Sequence, residues 1–390
     1  MTSNQSNTTN DFRQELRVAL VHDFLNQYGG AERVLEALTE IFPDAPIYTL
    51  LYDPVKMRGK FKGKDIQTSF LQKFLKFLKK RPKWLLPFLP TAPETFNLRD
   101  FDLVISSSGA WSKGIIVKPK TVHVCYCHSP MRFVWDWNEK YLSDQNLGRS
   151  RKLFARLLLN YVRIWDKAAA DRPDFFIANS KYTAARIRKY YGRESVVVYP
   201  PVEIKDLEPK SPIGDLGSMR EKFFLIVSRL SPYKKIEVAI EAMNKLNLPL
   251  TVIGEGEKKY VKYLKSVAGP KTKILGWKSD GKTREHMAGC RAFVFPGEDD
   301  FGITPVEAMS FGKPVIALRR GGARETVVES ETGEFFDDPV IESLADAVRR
   351  FVRKESEYDA QKIRIHAEKF SKERFIEEIK REIEDIMQIR

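Results

Sequence analysis

Short, continuously apolar runs separated by helical patterns occur in two series along this chain, and that alternation limits its fold more than any other feature. In the first series, Leu16–Val21 (LRVALV) is followed by Ile47–Leu51, Leu103–Ser107, Val122–Cys127, Phe175–Ala178 and Val196–Val198. Runs of this kind, apolar without alternation, suit strands buried on both faces of a parallel sheet. After the first run, AERVLEALTEIF spaces Val34, Leu35, Leu38 and Phe42 as a helix does. The second series has strands at Phe223–Val227, Leu250–Ile253, Ile274–Leu275, Ala292–Phe295 and Val315–Ala317, with helices beginning near Pro232, Lys258, Lys282, Thr304 and Ile341. Strands alternating with helices predict doubly wound α/β sheets. Pro200–Pro201 closes the first series, and the Pro-, Gly- and charge-rich stretch IKDLEPKSPIGDLGSMRE reads as a linker. A chain of 390 residues can build two domains, each with its own core. The predicted organisation is a polar tail at 1–14, one domain over 15–205, a second over 206–369 and a terminal helix over 370–390.

The formal net charge of +14, with a pI near 9.4, favours anionic partners: nucleotide phosphates, nucleic acid or an acidic membrane surface. No nucleic-acid-binding module is recognisable, so that class is set aside. The cysteines are Cys125, Cys127 and Cys290, an odd number with two in one strand. That pattern is neither a disulfide framework nor a zinc site, and a reducing cytosol is expected. Residues 1–12 lack an apolar signal-peptide core, and no apolar run approaches the ~20 residues of a membrane span.

Residues 70–89 (FLQKFLKFLKKRPKWLLPFL) differ in texture. As a helix, Phe70, Leu71, Phe74, Leu75, Phe77 and Leu78 share one face, and Lys73, Lys76, Lys79, Lys80 and Lys83 the other. Pro82 ends or bends it, and Trp84 and Phe88 follow. Two readings stand: an amphipathic helix lying in an anionic membrane interface, through Phe74, Lys76, Phe77, Lys80 and Trp84, or a core-packing helix whose lysines face water.

Four places could carry chemistry. Ala292–Ala317 (AFVFPGEDDFGITPVEAMSFGKPVIA) reads strand, loop, helix, strand, with Glu298, Asp299 and Asp300 in the loop. Acids there lie where open α/β sheets bind ligands. Thr304 is a candidate N-cap, which puts Glu307 at the third helical position; Glu307 either completes a capping box or accepts two ribose hydroxyls. Ser228–Arg229 ends a strand and Ser231–Pro232 starts a helix with Lys234 and Lys235 in its first turn. Cations there oppose the helix dipole, which a bound diphosphate would explain, with Arg229 as a fork and Lys234 as a point charge. Gly254-Glu255-Gly256 after a strand would let a nucleobase or ribose approach the backbone. In the first half, Gly29–Gly30 between strand and helix has anion-site geometry, or is only a tight turn, and His128 stands at a strand's C-terminal end.

Taken together, Arg229 with Lys234, GEG at 254–256, Gly276–Trp277 and FGITPVEAMSFGKPVIA resemble the retaining glycosyltransferases of family 4, which have a GT-B fold. The resemblance extends over nearly the whole chain from Leu16. Gly29-Gly30-Ala31-Glu32 and CHSPMRFVWD at 127–136 are similar to a bacterial subgroup with many mannosyltransferases of surface-polysaccharide assembly. The resemblance implies two Rossmann-like domains across a cleft, with the C-terminal helix crossing back to the first, N-terminal acceptor-binding domain. It implies that Arg229 and Lys234 hold the donor diphosphate, Glu307 the ribose, and the loop before Phe301 and Gly302 the sugar hydroxyls. Glu255, Gly256, Ile303 and Thr304 would also contact the donor. Gly30 would approach the phosphate, and His128 the transferring sugar. The family spacing is Glu, seven residues, Glu. Counting back from Glu307 gives Asp299, with Glu298 one residue earlier; either could bind the sugar, and Asp299 is preferred.

The implied reaction moves a hexose from a nucleotide sugar to an acceptor hydroxyl with retention, the leaving phosphate taking the acceptor proton. No cofactor or metal is expected, because the cations can replace one. GDP-mannose is the expected donor, with UDP-glucose as the alternative. The acceptor is expected to be a lipid-linked glycan, with the protein peripheral on the cytoplasmic face of the plasma membrane. A nucleotide-sugar-binding protein without turnover is the rival outside the enzymes.

Overall fold

A computed structural model of the chain describes residues 16–77, 82–144, 148–204 and 223–389. The expected tail at 1–14 and all but the first residue of the expected linker lie outside them. The chain divides into two compact units. One comprises Met1–Asn179, Thr183–Val197 and Lys380–Arg390, the other Ser180–Tyr182 and Val198–Ile379.

The first unit is built on a 7-stranded sheet in the order β3-β2-β1-β4-β5-β6-β7, with every recorded pairing parallel. The strands are β1 (Val18–Leu25), β2 (Ile47–Tyr52), β3 (Ile66–Thr68), β4 (Leu103–Ser108), β5 (Val122–Cys127), β6 (Phe175–Ala178) and β7 (Val196–Val197). Apolar runs go to the middle of the sheet, where helices cover both faces. Ala19, Val21 and Val104 pack with Leu98 and Ile115. Leu50 and Leu51 pack with Leu71, Leu85, Trp111, Leu159 and Val162. The first strand begins and ends later than its apolar run. His22 and Asp23 therefore lie in β1 and are buried, each with hydrogen-bond partners from neighbouring elements.

The second unit has a 6-stranded parallel sheet in the order β10-β9-β8-β11-β12-β13. Its strands are β8 (Phe224–Val227), β9 (Leu250–Ile253), β10 (Thr272–Ile274), β11 (Phe293–Phe295), β12 (Val315–Leu318) and β13 (Gly333–Phe336). Two edge strands have no counterpart among the expected runs. β3 (IQT) is largely exposed, and β13 (GEFF) carries a buried Glu334 that accepts from the Tyr358 hydroxyl at 2.8 Å.

The 70–89 stretch is not one amphipathic helix. An α-helix covers Leu71–Phe77 and a 3₁₀ helix covers Pro82–Phe88. Leu71, Leu85 and Leu89 are buried in the core of the first unit, so part of the apolar face that was offered to a membrane packs inward. The Phe74 and Phe88 rings, 6.1 Å apart, stay exposed. The side chains of residues 75–84, including Lys76, Phe77, Lys80 and Trp84, lie outside the described residues. The terminal helix runs Lys372–Ile389, and from Lys380 onward it belongs to the first unit. Among the described residues no helix is long and apolar enough to cross a membrane.

Candidate functional site

In the second unit β8 lies beside β11, with β9 and β12 on their outer sides. The sheet reverses its winding there, and in such sheets ligands bind at the carboxyl ends of the strands flanking that point. Arg229 follows β8 and is exposed; among the described residues no acid pairs with it. Pro232–Lys234 then forms a 3₁₀ turn, Lys235 takes a left-handed conformation (φ 55°), and the α-helix starts at Ile236. Lys234 and Lys235 thus precede the α-helix rather than occupying its first turn, which corrects the dipole argument. What holds Lys234 is a carboxylate: its Nζ contacts both oxygens of Asp299, in the loop after β11. Glu298 turns elsewhere and accepts from the Tyr182 hydroxyl at 2.6 Å. Of the two acids, Asp299 is the one beside Lys234.

Glycines make this approach possible. A Cβ on Gly297 would stand 2.8 Å from Lys234 Cα, so only glycine lets the β11 loop lie against the Lys234 backbone. The main-chain amide of Gly322 donates to Asp299 O at 3.0 Å, and a Cβ on the neighbouring Gly321 would lie 2.1 Å from that oxygen. In the sequence Gly321 and Gly322 stand far from Asp299, and only the fold brings them together. Gly254 and Gly256 let the chain approach itself. Their added Cβ atoms would lie 1.8 Å from Ser228 O and 1.9 Å from Leu230 O. The backbone they admit is the chain's own, at the Leu230–Glu255 hydrogen bond (2.8 Å). Glu255 itself is exposed.

The helix after β11 covers Ile303–Ser310, with Gly302 (φ 86°) as its N-cap and no side-chain cap bond. Thr304 is therefore inside the first turn, Glu307 is not at the third position, and the capping box is absent. Glu307 is half-buried. Phe301 is a core ring, with Tyr199 and Phe370 centroids at 5.6 and 5.7 Å, so any donor contact there uses its main chain.

The first unit gathers polar groups at its own switch point, between β1 and β4. The pairing register sets His22 opposite Ser107. Ser107 Oγ lies 3.0 Å from His22 Nδ1 and 2.8 Å from His128 Nε2, while His22 Nε2 lies 3.6 Å from the buried Glu32 carboxylate. Glu32 also accepts from the Gly29 amide at 2.7 Å, which anchors the start of the Gly30–Ile41 helix and leaves Gly30 exposed. Burial pushes Glu32 up, but His22 and the amides outweigh it and hold the carboxyl below its usual range. Burial, then repulsion from His22, pushes His128 down to about 4, so it is neutral near pH 7. Asp23 is structural: it accepts from the Gly109, Trp111 and Ser112 amides at 2.8, 2.8 and 2.6 Å. Sequence reading found His128 but not its link to Ser107, since only strand order brings them together.

The three cysteines are buried and free. Among the described residues no group of three or more His, Cys, Asp or Glu is placed to hold a metal.

Two doubly wound parallel units in one chain, one with a Lys–Asp cluster at its switch point, define an α/β protein of the GT-B class. Residues 28–206 match the family model described as Glycosyltransferase Family 4, and residues 214–370 the model described as Glycosyl transferases group 1. The chain belongs to the family 4 glycosyltransferases. It is 27% identical over 287 residues to alpha-1,3/1,6-mannosyltransferase ALG2 of Mus musculus, covering 65% of this chain and 66% of that one. It is 29% identical over 184 residues to an uncharacterized glycosyltransferase of Methanocaldococcus jannaschii, covering 46% and 50%. The chain thus spans between half and two thirds of the length of these two relatives. Among solved structures, HepE of Anabaena in complex with UDP-glucose shares the fold: TM-score 0.69 and 20% identity, over 94% of this chain and 99% of that one.

Proposed function

We propose that this chain moves a hexose from a nucleotide diphosphate sugar to an acceptor hydroxyl. The observation that carries the reading is Lys234, held by Asp299 at the β8/β11 switch point, with the exposed Arg229 just after β8. Arg229 offers an open fork to a phosphate. The Lys234 ammonium has three donors; Asp299 faces it with two oxygens, and a third N–H remains for a phosphate oxygen. Positive charge held there stabilises the charge that grows on a leaving diphosphate.

In this scheme Glu307 accepts the ribose hydroxyls and Asp299 a sugar hydroxyl. Gly30 offers its amide to phosphate, and His128 meets the transferring sugar as a neutral acceptor or donor. Retention follows if the leaving phosphate takes the acceptor proton, and the protein then needs no nucleophile. The reaction needs no metal, so turnover survives EDTA. Mannose from GDP-mannose is the preferred donor, in keeping with the mannosyltransferase names of the ALG2 relatives. The acceptor is a lipid-linked glycan, and the protein is peripheral on the cytoplasmic membrane face.

Thermal unfolding with GDP, UDP and dTDP tests the reading. The cognate nucleotide at a hundred times its Kd adds about 2.7 kcal/mol, and Arg229→Ala or Lys234→Ala removes that gain while leaving the protein folded. A midpoint raised by UDP alone replaces the donor but keeps the transferase. If none of the three raises it, the donor site is misassigned. Near-wild-type turnover in Lys234→Ala sinks the mechanism.

A further inference from the structure

The Arg149–Ala169 helix carries apolar side chains on two opposite faces. Leu159, Val162 and Ala169 are buried in the first unit. Leu153, Phe154, Leu157, Tyr161 and Ile164 are 60%, 68%, 63%, 50% and 64% exposed. Turned at about 100° per residue, these five form one stripe on the side away from Leu159. The helix cannot roll to hide them. Its Asp166 is fully buried and accepts from Lys113 Nζ (2.5 Å), the Trp135 indole N–H (2.7 Å) and the Tyr191 hydroxyl (2.9 Å).

One edge of the stripe is mainly basic. Arg149, Lys152, Arg156 and Lys167 line it, and no acid occurs between Asp144 and Asp166. Arg156 is shared with an exposed Glu139 at 2.8 Å and Lys167 with an exposed Asp171 at 3.3 Å, while Arg163 turns inward and donates to the Val134 carbonyl at 2.5 Å. We propose that this helix face docks on an anionic lipid bilayer, with the five apolar side chains immersed and the basic edge at the headgroups. The stripe is about 16 Å long and one helix wide. That is small beside the roughly 800 Å² per partner of a stable protein interface. A bilayer asks for no complementary shape, only an apolar face with a cationic rim. Phe74 and Phe88 are also exposed in the first unit and serve as a separate apolar comparison. The proposal draws its purpose from the lipid-linked acceptor proposed above, but the binding itself is independent of it.

Flotation of the full chain with phosphatidylcholine vesicles, with and without phosphatidylglycerol, tests this. The expected result is binding to the anionic vesicles that weakens at high salt. Phe154→Glu with Leu157→Glu reduces the bound fraction about tenfold or more, while circular dichroism melting and the nucleotide-induced shift are unchanged. Phe74→Glu with Phe88→Glu reduces it less. The proposal is overturned if wild type stays unbound, if the helix variant floats like wild type, or if only the Phe74/Phe88 variant loses binding. It is also overturned if light scattering shows that the helix variant turns a dimer into a monomer without affecting flotation. Vesicle binding without any nucleotide-induced shift would leave this proposal standing and remove the donor assignment.

Discussion

Glu307 shows how one residue's meaning can hang on a single helix boundary. With Thr304 as N-cap it would be a capping acid; with Gly302 as N-cap it is not. Glu307→Gln is expected to leave the melting temperature within a degree or two of wild type and to raise the donor KM about tenfold, near 1.4 kcal/mol. Equal kinetics in the variant would remove Glu307 from the donor site. The histidines carry a second prediction. His128 is lowered from 6.5 to about 4 and His123 to about 3, burial being the chief cause in each. Their folded values lie below the unfolded one, so as pH falls the unfolded chain takes up protons first. The stability they contribute is whole above about 6.5 and drains away toward 4 and below. The urea midpoint should decline from pH 6.5 to 4, more gently in His128→Asn; an unchanged slope in that variant would show that His128 is not held neutral.

Among the elements, the loops after β8, β9 and β11 are fitted to one another by glycine. In the sequence, glycine after a strand reads as a turn or as room for a ligand, and the two are indistinguishable without the neighbouring loop. At Gly256 the neighbour is the Leu230 carbonyl, 1.9 Å from where a Cβ would stand. Gly256→Ala must push the β8 and β9 loops apart. It is expected to cost on the order of 3 kcal/mol in chemical unfolding and to weaken nucleotide binding with it. A stable Gly256→Ala protein would mean that the two loops part easily. The Lys234–Asp299 contact has the same origin, since it needs Gly297 to bring the β11 loop against Lys234.

On the scale of the whole molecule, the chain returns at its end to the unit in which it began. Residues from Lys380 belong to the first unit, and Ile383 and Ile386 are buried. Ile383→Ala is expected to destabilise the first unit by about 2–5 kcal/mol. Tryptophan fluorescence reports mainly on that unit, because five of the six tryptophans, all but Trp277, lie there. Unfolding at the wild-type midpoint would show that the terminal helix adds nothing to the first unit.

The amino-acid sequence by itself determined the two α/β units and most of their strands, because buried parallel strands are written as local apolar runs. It also placed Arg229 and His128 at strand ends and Asp299 in the loop after a strand, while it put Lys234 in a helical first turn that is a 3₁₀ turn before the helix. Strand order was left to the tertiary structure, and with it the meeting of Lys234 with Asp299 and of His22 with Ser107 and His128. β3 and β13 were not legible either: one is a short exposed edge, and the other depends on partners for Glu334 that lie beyond any local window. At residues 70–89, amphipathic spacing could not tell a face that packs inward from one that faces a lipid. Leu71 and Leu85 are buried while Phe74 and Phe88 stay exposed, and another outward apolar stripe lies on the Arg149–Ala169 helix. Periodicity records that a face is apolar; only the packed neighbours decide which face is covered.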